Sequence, residues 1–94
     1  MDWHHEQLLN VIKLFSADKK ALHGVFELLL TDKEYDGIAR RLEILRALNV
    51  GRESHRTIAD RLQVSIATVT RMSNIIKKDP GSAEKVIQRM RSNR

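Results

Sequence analysis

The chain has 94 residues, 17 Lys/Arg against 12 Asp/Glu and a formal net charge of +5. That length suffices for one domain near the lower end for a self-sufficient hydrophobic core, so association is an expected source of further burial. With no Cys there are no disulfides or thiolate metal sites, no apolar run approaches a membrane span, and the opening Met-Asp-Trp-His-His-Glu lacks the basic residues of an export signal, so a soluble, cytoplasmic protein without membrane contact is expected.

Strand signals are weak: only 4% of residues are aromatic, apolar residues do not alternate, and no Asn-Gly or Asp-Gly turn occurs. Helical spacing runs through the chain instead, and predicts an all-α protein of six short helices. Over residues 3–16, Leu8, Ile12 and Phe15 share one face, with Leu9 beside them. Trp3 is expected to staple this helix to a partner chain. Asp18 is placed to cap a second helix carrying Leu22, Val25, Phe26 and Leu29 on one stripe. Thr31 followed by Glu34 forms a capping box that opens a third helix. Its expected apolar side holds Tyr35, Ile38, Leu42, Leu45 and Leu48, and it stops near Gly51.

Residues 54–78 then read as two helices joined by a three-residue turn. Ser54 caps the first and Ser65 the second, each oxygen accepting from a free amide of the first turn. Ile58, Ala59, Leu62, Val64 and Val69 fall where a helix-turn-helix needs its inner contacts, with Ala59 small at the helix crossing and Val64 plugging the turn. The second helix then turns Ile66, Ala67, Thr70, Ser73, Asn74 and Lys77 outward, a surface suited to a major groove. Gln63 occupies the turn position that Gly usually fills, which implies strain there or an altered turn. Asp79-Pro80-Gly81 breaks the chain, Ser82 is the expected cap of a last helix bearing Val86, Ile87 and Met90, and the final Arg-Ser-Asn-Arg is expected to fray.

Charge follows this division. Residues 1–39 carry 4 Lys/Arg against 7 Asp/Glu, residues 40–78 carry 9 against 3, and residues 79–94 carry 4 against 2. The positive charge therefore gathers on the helix-turn-helix and the helix before it, as a phosphate-binding face requires. Metal is not expected: among His4, His5, His23 and His55, the first two are adjacent and project at different angles, and no Cys or close acidic partner completes a four-ligand set. No Gly-rich phosphate loop, activated Ser or bracketed carboxylate pair is present, so the chain reads as no enzyme and as having no catalytic residues.

The stretch from Leu28-Leu29-Leu30-Thr31 through Ile66-Ala67-Thr68-Val69-Thr70-Arg71, Ser73-Asn74 and Lys77 resembles the bacterial tryptophan repressor family. The likeness covers roughly residues 3–90 and is strongest from 28 to 77. It implies an intertwined, all-α homodimer: a single 1–94 DNA-binding domain with a reading head at about 54–78 and a dimer core from about 3–50 and 82–92. It also implies a repressor of transcription that binds a palindromic double-stranded DNA operator. Two reading helices about one DNA turn (~34 Å) apart and water-mediated base contacts are documented properties of that family rather than results of this chain's spacing.

By position, the resemblance places Arg56 on a guanine, Ile66, Ala67 and Thr70 at base edges, and Thr68, Ser73, Asn74 and Lys77 on phosphates, with His55 at a commonly polar position. Ala59 replaces a basic residue of the best-known member, so one phosphate contact is expected to be missing. For the amino-acid effector it places Arg41 and Arg71 on either side of an indole and Thr31 as a further polar contact. Met72 and Ile75 stand where tryptophan-binding members have Gly and Ser. Three outcomes stay open: DNA binding without ligand, a smaller or differently shaped effector, or weak tryptophan binding with Met72 swung aside. No cofactor is expected, and Met72 argues against tryptophan as the effector. The competing readings of the basic helical surface are a protein–protein interaction module with an acidic partner and a non-specific nucleic-acid binder.

Overall fold

A computed structural model of the chain describes residues 1–92. They form six helices and no strand: α1 (Trp3–Phe15), α2 (Lys19–Leu29), α3 (Asp32–Val50), α4 (His55–Leu62), α5 (Ile66–Lys78) and α6 (Pro80–Ser92). Two compact units divide within α3, between Asp36 and Gly37.

In the first unit the caps follow the local sequence. The Asp18 carboxylate accepts from the Ala21 amide at 3.1 Å to open α2. Thr31 and Glu34 close their box reciprocally: the Thr31 amide donates to Glu34 Oε1 at 2.9 Å, and the Glu34 amide donates to Thr31 Oγ1 at 3.1 Å. Packing is thinner than the stripes suggest. Val11, Ile12, Leu22, Val25 and Phe26 are half-buried, while Leu8, Leu9, Phe15 and Leu29 of the expected faces stay exposed. The Phe26 and Tyr35 rings lie 5.5 Å apart, and His23 Nδ1 meets the Tyr35 hydroxyl at 2.9 Å. Trp3 is 63% exposed and packs edge-on to His4.

The core of the second unit is Ile44, Ala47, Ile58, Ala59 and Val69, with Leu48, Leu62, Val64 and Met72 packed against it. Ile44, Ile58 and Val69 are completely buried. Each such aliphatic side chain contributes about 1.5–3 kcal/mol. The inward face of α3 is therefore Ile44, Ala47 and Leu48; of the expected Tyr35–Ile38–Leu42–Leu45–Leu48 stripe only Leu48 joins this core, and Ile38 and Leu42 are exposed. The helix carries two apolar stripes, and the one that meets α4 and α5 holds Ala47 between the larger Ile44 and Leu48.

The end of α3 is set by Gly51, whose φ of 73° is easy only for glycine. At the other end of the unit, α5 and α6 are separated by Asp79 alone. Asp79, not Ser82, opens the last helix: its carboxylate accepts from the Ser82 amide at 3.3 Å and the Ser82 hydroxyl at 2.7 Å. Pro80 then takes the first helical position, where its missing amide costs nothing and its φ is already helical. Of the residues expected to fray, Arg91 and Ser92 end α6, and the remaining two lie outside the described residues.

Candidate nucleic-acid interface

Both helices of the head begin with the same device. Ser54 Oγ accepts from the Thr57 amide and Ser65 Oγ from the Thr68 amide, each at 3.1 Å, and each serine hydroxyl also meets the threonine hydroxyl of its own cap, at 2.9 and 2.8 Å. Between them α4 ends in a left-handed residue, Gln63, at φ 58° and ψ 45°. The Val64 amide donates back to the Ala59 carbonyl at 3.0 Å and the Gln63 amide to the Asp60 carbonyl at 3.4 Å. This Schellman arrangement reverses the chain in three residues and drops Val64 onto the core. The turn is thus unaltered by the absence of glycine, and Gln63 bears the strain, offset by its own Nε2 donating to the Asp60 carbonyl at 3.1 Å.

With Val69 buried and Met72 turned to the core, the opposite side of α5 is left to solvent. Ile66, Ala67, Thr70, Arg71, Asn74, Ile75 and Lys78 line one shallow, open strip along it. Four of the expected DNA-contacting residues, Ile66, Ala67, Thr70 and Asn74, are brought together there. Lys77 is exposed beside the strip, whereas Thr68 and Ser73 are half-buried, and the Thr68 hydroxyl is held by the Ser65 cap. His55 Nδ1 lies 3.3 Å from Thr70 Oγ1, which links the start of α4 to the middle of α5. Arg56 is exposed next to it.

Charge on this unit is unequally available. Arg61 is tied to Glu53 by two hydrogen bonds, Nη2 to Oε1 at 2.7 Å and Nε to Oε2 at 2.9 Å. The pair holds the Glu53 carboxyl below its ordinary pKa and raises that of Arg61. Arg46 lies 3.8 Å from Glu43. Among the described residues of this unit Arg41, Arg52, Arg56, Arg71, Lys77, Lys78, Lys85, Arg89 and Arg91 make no ion pair, and Arg71 and Lys78 line the α5 strip itself. Lys78 was missed by reading the motif, although its place four residues after Asn74 and eleven after Ala67 puts it on the same helical face.

The residues expected around an effector are distributed as follows. Thr31 belongs to the first unit and spends its hydroxyl on the Glu34 amide. Arg41, Arg71, Met72 and Ile75 belong to the second. Arg71 and Ile75 line the outward strip, and Ile75 is 59% exposed. Met72 is half-buried against the core formed by α3, α4 and α5. Among the described residues no three His, Asp or Glu side chains gather as a metal site, and no helix is long and apolar enough to cross a membrane.

Residues 3–91, nearly the whole chain and including every part of this head, match the family of the Trp repressor protein. The chain belongs to that family. It is 36% identical over 76 residues to the Trp operon repressor homolog of Vibrio vulnificus, a match covering 81% of this chain and 72% of the relative. The homolog of Chlamydia trachomatis serovar D is 42% identical over 59 residues, 63% of each chain. That of Vibrio campbellii is 36% identical over 76 residues, 81% of this chain and 73% of the relative. Trp repressors are regulators rather than enzymes, and this member is by kind a DNA-binding repressor. Within the Trp repressor family the strip on α5 is the natural candidate for the DNA-reading surface.

Proposed function

We propose that this Trp repressor family member acts in the cytoplasm as a homodimer on a palindromic operator, and that it does so without tryptophan. Arg56 reads a guanine with its two-pronged guanidinium, Ile66, Ala67 and Thr70 face base edges, and Thr68, Ser73, Asn74, Lys77 and His55 position the backbone of the duplex. The observation that carries this reading is the solvent-facing strip of α5, flanked by unpaired cations and backed by a buried Val69. The exposed apolar residues of α1 and α2, among them Leu8, Phe15, Leu28 and Leu29, supply the surface that a second copy would cover. Met72 supports independence from tryptophan, because its thioether chain packs against the core at the position where tryptophan-binding members have Gly.

Titration of labelled duplex across salt tests the proposal. Affinity should fall steeply as salt rises, because each neutralised phosphate releases counterions, while preference for one palindrome persists. Arg56→Ala should cost about 1–3 kcal/mol and relax the preference at a single base pair of each half-site. Unchanged preference in that variant contradicts the direct-readout assignment. A salt slope without any preference identifies a non-specific binder, and neither effect identifies a helical module for an acidic protein.

A further inference from the structure

Arg40 lies on α3 one turn before Ile44 and two before Ala47, so it shares their inward face. It is half-buried, and its Nη1 donates to the carbonyl of Leu62, the last residue of α4. That carbonyl needs a donor. The amides of Gln63 and Val64 are committed to Asp60 and Ala59, and the left-handed turn carries the following chain away. A guanidinium is also well suited to the negative end of a helix dipole.

The Cα atoms of α3 stay more than 8 Å from those of α4 and α5, so only side chains span the gap. Ile44, Ala47 and Leu48 supply apolar contact, which resists separation but is non-directional and resists rotation weakly. The Arg40 hydrogen bond is directional, and it ends on the turn that joins the two helices of the head.

We propose that Arg40 is a positioning residue for DNA reading: through Leu62 it fixes the angle of the α4–α5 head on α3. This rests on the dimeric, operator-binding reading above, since the head angle then sets which half-site spacing both heads can engage together. Arg40 touches no DNA in this role.

The full-length chain and its Arg40→Ala and Arg40→Lys variants would be bound to inverted repeats whose half-sites are moved apart in single base-pair steps. The wild type should favour one spacing by about tenfold, in line with one charge-assisted hydrogen bond. Arg40→Ala should keep the half-site base preference while its spacing preference flattens, and Arg40→Lys should recover part of it by donating to the same carbonyl. An Arg40→Ala variant with the wild-type spacing preference overturns the proposal. If the wild type prefers no sequence at all, the DNA reading fails instead. The latch is then judged by NMR of the wild-type guanidinium protons, which also serves if Arg40→Ala does not fold: slow exchange at Arg40 relative to Arg56 supports it, and equal exchange overturns it.

Discussion

Gln63 and Met72 each hold a position where a smaller residue would be easier. A left-handed backbone disfavours a side chain by about 1–2 kcal/mol, and glycine recovers that at an entropic cost of about 0.5–1 kcal/mol. Gln63→Gly should therefore raise the urea midpoint slightly, by no more than about 1 kcal/mol of stability. A lowered midpoint would mean that the Gln63 side-chain bond to the Asp60 carbonyl outweighs the strain. Met72 fills space against the buried core of the second unit that glycine would leave open. Calorimetry should detect no micromolar L-tryptophan binding to the wild type and a gain of affinity in Met72→Gly, and micromolar binding by the wild type would remove Met72 as an obstruction. Both residues are legible in the sequence because the motif's spacing assigns them their places. Arg40 and Arg61 are not: one bonds a carbonyl 22 residues away and the other a carboxylate eight residues back, just before α4 begins. Only the folded chain brings such partners together.

The helices start where short-range chemistry says they should, and this is why most of the secondary structure can be read in advance. Ser54, Ser65, Asp18 and the Thr31–Glu34 box each use atoms within three residues. The start of α6 is misjudged because Ser82 and Asp79 are both good caps, and Pro80 decides between them. The face of α3 is misjudged because two apolar stripes compete and only tertiary packing selects one. Three carboxylates also predict an acid response. Glu34 is held below its ordinary pKa by the Thr31 amide and hydroxyl, Glu53 by Arg61, and Asp79 by the Ser82 hydroxyl and amide. Each contributes stability that is fully present above the unfolded-state value, about pH 4, and is lost as pH falls through the lower folded value. Melting temperature should therefore be flat near neutrality and fall in acid, and Glu53→Gln should flatten part of that fall. An acid slope identical in Glu53→Gln would show that the Arg61 pair contributes nothing to it.

Across the whole molecule, burial is concentrated in the second unit while the first displays apolar side chains to solvent, with Leu28 at 88% and Leu14 at 79% exposure. Short chains meet such a deficit by association, and a two-fold dimer would present two copies of the α5 strip to one duplex. Acidic residues predominate in residues 1–39 and basic ones in residues 40–78, so repulsion from DNA would be kept off the reading head. The head is legible in the sequence down to most of its outward residues; the first unit is legible only as surplus apolar area, because the sequence does not say what, if anything, covers it. The most direct measurement is selection of bound fragments from random duplexes by the wild-type chain, without any added amino acid. The recovered sequences should form an inverted repeat whose half-site centres lie about one helical turn (~34 Å) apart, or a multiple of it, with a conserved guanine in each half. Recovery of single unpaired sites, or of no common sequence until tryptophan is added, would contradict the account.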